Sequence, residues 1–274
     1  MELTDKIVVI TGAAGGIGSA CAHRFAAEGP RRLVCADLDG AAAERVASEI
    51  NAATGSDLAI GGACDVGREA SVRALIDSVM STDGTIDLYF SNAGVATLSD
   101  PFTEDEVWDR AWRVNTMAHL WAARHLLPAW LARGDGHLVM TASIAGLLTA
   151  MGDAAYSTSK HAAVGLAEWL AITYRDDGVR VSTVCPAGVD TQMLAQFAGD
   201  EVDGLDVGGV DVMSPAEAAE RILAGIRDDS TLILTHPEVE LFLQRKLGDH
   251  ARWVRGMVRQ WRDLRGALGR KTPA

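Results

Sequence analysis

The sequence predicts an α/β protein: a doubly wound parallel sheet of about seven strands with helices on both faces. Three observations carry that reading. Short apolar runs alternate with longer, Ala-rich stretches of helical character from the first residues onward. The runs are apolar throughout rather than every second residue, as expected for strands covered on both sides. A glycine-rich turn separates the first run from the first helical stretch. With 274 residues, 48% apolar and 23% charged, one large domain spanning 1–274 with a sizeable core is the economical organisation. No linker, internal repeat or low-complexity segment interrupts it.

Taken in order, Lys6–Thr11 is an apolar strand and Gly16–Glu28 a helix. Arg32–Asp37 is a second strand, followed by the Ala-rich helix Gly40–Thr54. Leu58–Cys64 and a helix over Arg68–Ser81 come next, then a strand at Ile86–Ser91. A long helix is expected from Glu104 to Leu131. The strand Gly136–Thr141 precedes a second long helix, Ala154–Asp176, and the strand Val179–Cys185. The Gly- and Asp-rich stretch that follows, 192–213, reads as a loop that could act as a lid. Ser214-Pro-Ala-Glu217 starts a helix with a Ser cap, Pro at its first position and an acid in its first turn. Leu232–Thr235 is a short last strand.

Charge excludes some functions. A net charge of −12 disfavours nucleic acid as a partner. No uncharged apolar run reaches membrane-spanning length, and Met1–Asp5 lacks the basic and apolar regions of a signal peptide, so a cytoplasmic location is expected. Cys21, Cys35, Cys64 and Cys185 have no metal-type spacing and read as small buried hydrophobes. The seven histidines are scattered, so no metal site is expected. His119, His125 and His161 read as packing or surface residues of helices.

One segment departs from the acidic average. Arg245 to Lys271 holds nine Lys/Arg against two Asp/Glu. Val254, Met257, Val258, Trp261, Leu264 and Leu268 recur at three- and four-residue steps, so 238–270 reads as a basic amphipathic helical extension. It is expected to dock on the protein's own acidic body or on a sister subunit, where it could narrow a pocket entrance. Attachment to a membrane surface is disfavoured, because the acidic remainder is repelled by anionic lipid.

The loops after the strands should carry the chemistry, since open parallel sheets bind ligands at their strand carboxyl ends. Thr11-Gly-Ala-Ala-Gly-Gly-Ile-Gly18 joins the first strand to the first helix. Gly12 permits the tight turn, Gly16 lets the backbone approach a diphosphate, and Gly18 allows close strand–helix contact. The helix N-terminus then offers free N–H groups to phosphates. Asp37 ends the second strand, where a carboxylate can accept hydrogen bonds from both adenosine ribose hydroxyls and would repel a 2′-phosphate. The reading is NAD rather than NADP. Asp65, after the third strand, either meets the adenine amino group or caps the next helix. Asn92-Ala93-Gly94 follows the fourth strand and suits a backbone passing close to the cofactor.

Tyr156 and Lys160 lie four apart on a predicted helix and so share one face. A free phenol ionises near pH ~10 and is a poor base at neutral pH, but a neighbouring cation favours the phenolate. A desolvated lysine and a cationic cofactor could together supply the ~4 kcal/mol needed to lower its pKa by roughly three units. Ser143 lies thirteen residues upstream.

Taken together, these segments resemble the short-chain dehydrogenase/reductase family, NAD-preferring common form. The matching positions are Thr11–Gly18, Asp65, Asn92–Gly94, Asn115, Ser143, Tyr156, Lys160 and Pro186–Thr191, in the family's order over about residues 5–235. The resemblance implies a Rossmann-type fold with Ser143, Tyr156, Lys160 and Asn115 as the catalytic set. Tyr156 would exchange a proton with the substrate oxygen and Ser143 would hydrogen-bond that oxygen. Lys160 would hold the nicotinamide ribose. Asn115 would distort its helix and hold a water linking the lysine to solvent. Gly12, Gly16, Ile17, Gly18, Asp37, Asp65, Val66, Asn92, Ala93, Gly94, Pro186, Gly188, Val189 and Thr191 would line the cofactor. Ala187 stands where the family has a glycine, which puts the backbone path there in doubt.

Val95, Ala145, Leu147, Met151, Met193 and Phe197, with Ala96 and Leu98, flank the catalytic positions and are apolar. No Arg or Lys is expected where it could pair with a substrate carboxylate. The expected substrate is therefore an uncharged hydrophobic secondary alcohol or ketone, such as a terpenoid, steroid-like, aryl or cyclic one. The resemblance also implies a homotetramer or homodimer, with Trp108, Trp112, Trp121 and Trp169 as interface anchors on the two long helices. Two competing readings are an NADPH-dependent 3-oxoacyl-carrier-protein reductase, disfavoured by Asp37, and a non-catalytic NAD sensor, which would not need the acid/base.

Overall fold

The computed structural model describes residues 1–198 and 210–267, with no side chains described for 197, 198 and 265–267. The strands are β1 Ile7–Thr11, β2 Arg32–Asp37, β3 Ala59–Ala63, β4 Leu88–Ser91, β5 Gly136–Thr141, β6 Val179–Cys185 and β7 Leu232–Leu234. The helices are α1 Gly16–Ala26, α2 Gly40–Thr54, α3 Glu69–Asp83, α4 Asp105–Trp112, α5 Ala118–Arg133, α6 Ala154–Tyr174, α7 Gln192–Ala198, α8 Pro215–Arg227, α9 Glu238–Gly248 and α10 His250–Ala267.

The strands form one seven-stranded sheet in the order β3-β2-β1-β4-β5-β6-β7. Every pair is parallel. The order reverses between β1 and β4, where Val8 faces Leu33 on one side and Leu88 on the other. This is the doubly wound Rossmann-type arrangement, and it opens a crevice at the carboxyl ends of β1 and β4.

The apolar runs become strands because both faces are covered. Val8 and Ile10 enter one core with Leu33, Cys35 and Phe90, under Phe25 of α1, Val46 of α2 and Ile222 of α8. Ile7 and Val9 turn the other way, toward Ile76 of α3, Trp130 of α5 and Leu170 of α6. A period of two with both phases apolar needs exactly such a double layer. All four cysteines are free and buried, Cys21, Cys35 and Cys64 in these layers and Cys185 in a smaller cluster with Ala142, Ala163 and Val164. The predicted cap at α8 is present as a reciprocal box, Ser214 accepting from Glu217 N and Glu217 from Ser214 N.

The structure corrects several expected boundaries. The helix expected over Glu104–Leu131 is α4 and α5 joined by a π-helical turn, Arg113–Met117. One inserted residue of this kind hardly disturbs apolar spacing, so the sequence pattern reads through it. Gln192–Ala198 is helical rather than loop, with the Thr191 hydroxyl accepting from Leu194 N at its start. That stretch holds neither Gly nor Pro; the breakers come later, and 199–209 lie outside the described residues. The C-terminal extension is two helices, because Gly248-Asp249 ends α9 and Asp249 accepts from Arg252 N at the head of α10. Leu268 lies outside the described residues. Trp121 is 8% exposed and part of the second core, so it is not available as an interface anchor. Trp112 and Trp169 are exposed. Among the described residues no helix is long and apolar enough to cross a membrane.

Candidate active site

The switch-point crevice is built from the ends of the strands. Gly12 has φ +66°, in the region that favours glycine. A Cβ on Gly18 would lie 1.9 Å from the Gly12 carbonyl oxygen, so α1 seats on β1 only with glycine there. The first turn of α1 carries no acidic residue and faces the crevice with its N–H groups. The Asp37 carboxylate accepts from Ala14 N at 3.0 Å and Asp39 N at 3.2 Å. Asn92 ties three strand ends: Nδ2 donates to Thr11 and Gly12 carbonyls, and Oδ1 accepts from the Thr141 hydroxyl. Asp65 accepts from Gly67 N at 3.0 Å, a local turn ahead of α3, and it also lines the crevice. The Thr191 methyl packs at the Gly16 Cα, bringing the loop after β6 onto the glycine turn. Ala187 has an ordinary negative φ, so the missing glycine costs the backbone nothing.

Ser143 leaves β5 and caps the short 3-10 turn Ile144–Gly146, its hydroxyl accepting from Ala145 N. Tyr156 and Lys160 lie on α6. Burial pushes the Tyr156 phenol up to about 12, and the hydrogen bond with Ser143 pulls the other way. Burial lowers the Lys160 ammonium to about 8. Lys160 is 2% exposed, and its Nζ donates to the Thr141 carbonyl at 2.8 Å. Nζ sits 5.7 Å from the Tyr156 ring centre. In the protein alone, desolvation therefore outweighs the Ser143 hydrogen bond and disfavours the phenolate.

Asn115 lies inside the π turn and is fully buried. Its Oδ1 accepts from Val95 N, and Nδ2 donates to Val95 O at 2.9 Å and Ser159 Oγ at 3.1 Å. It thus joins the loop after β4 to α6. His119, one turn on, is buried and held near 3 by desolvation, with Nδ1 on the Ser91 hydroxyl.

The residue that sequence reading missed is Asp153, which is 1% exposed. Its carboxylate accepts from the amides of Thr97 (2.7 Å), Leu98 (2.8 Å) and Ser99 (3.3 Å), from both of the Thr97 and Ser99 hydroxyls, and from Tyr156 N (3.2 Å). Burial would raise its pKa, but these donors outweigh it and hold the carboxyl below its usual range. Asp153 both caps α6 and pins Leu98 in the left-handed region at φ +51°. Its one sequence signal was an Asp three residues before Tyr156. Asp153→Ala removes a cap and leaves several buried donors without their acceptor, so it should destabilise by about 3 kcal/mol or more. A lowered Tm together with a fall in kcat checks this; an unchanged Tm would show that the network carries no load.

Ser143, Tyr156 and Lys160 share one cavity of about 2500 Å³ with the glycine turn, and Asn115 and Asp153 lie behind its lining. It is lined by Gly12, Gly16, Ile17, Asp37, Asp65, Val66, Asn92, Ala93 and Gly94 at one end, and by Ser143, Tyr156, Lys160, Pro186, Val189 and Thr191 beyond. Val95, Ala96, Leu98, Ala145, Met151 and Met193 form its apolar part. Gly18 and Gly188 lie behind the lining, Gly188 accepting from Met213 N. Leu147 is a correction: it turns into the small core of Ala142, Ala163, Val164 and Cys185, and Leu148 faces the cavity instead. The Phe197 side chain lies outside the described residues.

The basic extension docks on this same region. Lys246 Nζ donates to the Leu147 carbonyl at 2.5 Å. The Trp261 ring lies 3.4 Å from where a Cβ on Gly152 would be, and Gly152 has φ +87°. Both contacts fall on the segment between Ser143 and Tyr156. Phe242, Trp253 and Met257 complete the wall, but so do Arg245, Arg252 and Arg259. The expectation that no basic residue reaches the substrate region is therefore overturned. Helical spacing revealed the tail's apolar stripe but not which surface it would cover.

Sheet order and crevice place the chain among the Rossmann-type proteins that bind ligands outside the strand carboxyl ends. A family model described as short chain dehydrogenase matches residues 6–201. The 1-deoxy-11-beta-hydroxypentalenate dehydrogenase of Streptomyces exfoliatus is 33% identical over 93% of this chain and 91% of its own length. The cyclohexanol dehydrogenase of an Acinetobacter strain is 31% identical over 85% of this chain and 92% of its own. A short chain dehydrogenase/reductase from Burkholderia phymatum, solved in complex with NAD, superposes with a TM-score of 0.80 at 31% identity, covering 91% of this chain and 95% of that one. The chain belongs to the short-chain dehydrogenase family of oxidoreductases.

Proposed function

We propose that this protein is an NAD-dependent dehydrogenase exchanging a hydride with a hydrophobic secondary alcohol or its ketone. The observation that carries the reading is the meeting of Ser143, Tyr156 and Lys160 with the glycine turn and Asp37 on one cavity. The residues fit a dinucleotide: the crevice runs unbroken from Asp37 to Tyr156, and Gly94 leaves room beside Lys160. NAD, when bound, would supply the hydride acceptor and a positive charge near the phenol.

The chain's own residues do the rest. Tyr156 takes the alcohol proton in oxidation and returns it in reduction. Ser143 hydrogen-bonds the same oxygen and steadies charge growing there. Lys160 spends one N–H on Thr141 and keeps two for ribose hydroxyls. Asp37 takes the adenosine ribose hydroxyls, Val189 and Thr191 the nicotinamide end, and Asn115 a water behind the lysine. The names of the two relatives, a hydroxypentalenate and a cyclohexanol dehydrogenase, support a secondary alcohol on a largely hydrocarbon frame, and the NAD-bound structure supports the cofactor. The exposed Trp112, Trp169 and Ile172 support a homotetramer or homodimer through α4 to α6, and the cytoplasm is the proposed location.

Arg45 favours a second reading. It lines the cavity beyond Asp37 and could meet a 2′-phosphate, as an NADPH-dependent reductase would need. A panel of secondary alcohols, run with NAD and with NADP, decides. Reduced nicotinamide from NAD with apolar alcohols is expected. Preference for NADP would transfer the role to Arg45, and tight NAD binding without turnover on any alcohol would sink the enzymatic reading.

A further inference from the structure

We infer that Arg245, Arg252 and Arg259 form a subsite for an anionic group, a carboxylate above all, carried by the substrate away from its reacting carbon. This rests on the alcohol dehydrogenase reading and names the substrate class more closely.

Arg252 and Arg259 are seven residues apart on α10. That is two turns, so they lie on one side of the helix roughly 10 Å apart along its axis. Gly256 sits between them, and the Arg259 Nη2 lies 3.9 Å from where its Cβ would be. The Arg259 guanidinium thus lies back over the bare backbone at Gly256. Arg245 adds a third from α9, its guanidinium carbon 6.0 Å from the Phe242 ring centre. All three line the cavity that holds Tyr156.

Their charge is unspent. Among the described residues none of the three takes part in an ion pair. The nearby acid Asp249 is engaged with the Arg252 amide. On the α4 side of the cavity, Glu106 and Asp109 stand among Arg110 and Arg113, and among the described residues neither carboxylate pairs with an arginine of the tail. If the tail were basic only to grip an acidic body, these arginines would face carboxylates of that body. The grip comes instead from Trp261 on Gly152 and from Lys246 on a carbonyl.

Electrostatics gives the cluster a purpose. A chain of net charge −12 repels anions at a distance. An anionic substrate needs a local basic mouth, and guanidinium forks match carboxylates. One cavity thus holds Tyr156, the apolar Leu148, Met151 and Trp253, and the three arginines. The substrate that fits is an apolar alcohol or ketone bearing a distal acid.

Binding, independent of turnover, tests this. Adamantane-1-carboxylate and adamantane-1-carboxamide are titrated into the NAD-loaded protein. The carboxylate is expected to bind roughly ten-fold more tightly, ~1.4 kcal/mol, with the preference shrinking as salt rises. Arg252→Ala/Arg259→Ala should erase the preference at unchanged Tm, and Arg252→Lys/Arg259→Lys should keep part of it. Equal binding of the two probes, or the same preference in the double alanine variant, overturns the proposal. Failure of every alcohol to be oxidised would instead sink the dehydrogenase reading, and the two failures are separately visible.

Discussion

Tyr156→Phe is expected to lower kcat by roughly 10³-fold with NAD affinity nearly unchanged. The ring is retained, so the packing of α6 stays; only the hydroxyl that meets Ser143 is lost. The sign of the pH dependence belongs to the same prediction. Oxidation needs the phenolate and reduction the phenol. With the phenol held up to about 12 by burial, oxidation should rise with pH through the neutral and alkaline range, while reduction should stay level until the pH approaches that value. Lys160, lowered to about 8, keeps its charge best below that value, so it steepens neither limb above it. Steady-state rates in both directions check the trend. A Tyr156→Phe variant that retains full activity, or oxidation that falls as pH rises, would remove Tyr156 from the proton path.

Asp37→Ser should change which cofactor is used. The carboxylate proposed to exclude a 2′-phosphate disappears, while Arg45 stays on the same wall. The ratio of kcat/KM for NAD to that for NADP is expected to fall by about 100-fold, ~2.8 kcal/mol, through loss of NAD use and gain of NADP use together. The glycine turn loses an acceptor for Ala14 N as well, so part of the loss should appear with both cofactors. A ratio unmoved by the substitution would mean that Asp37 only holds the turn.

Much of the fold was legible because its strands are buried on both faces. Runs such as Ile7–Ile10 cannot be surface strands, and seven of them separated by helical stretches leave little besides a doubly wound sheet. The candidate site was legible where one residue has one backbone duty, as at Gly12 and Gly18, or where spacing alone sets a juxtaposition, as between Tyr156 and Lys160. What stayed hidden depends on partners far apart in the chain. Asp153 is an unremarkable helix cap until the loop carrying Thr97–Ser99 folds onto it. Leu147 and Leu148 are equivalent in the sequence, and only the 3-10 turn after Ser143 decides which one faces the cavity. The π turn around Asn115 leaves apolar spacing almost intact. The arginines of the tail were visible as charge, but their place at the cavity depends on Trp261 meeting Gly152.

The most direct test of the central claim uses a hydrophobic secondary alcohol carrying deuterium at its carbinol carbon. Oxidation by the wild-type protein with NAD should be slowed relative to the unlabelled alcohol, and the deuterium should be found in the reduced nicotinamide. Label released to water, or an alcohol left unchanged by a protein that binds NAD, would contradict hydride transfer at this site.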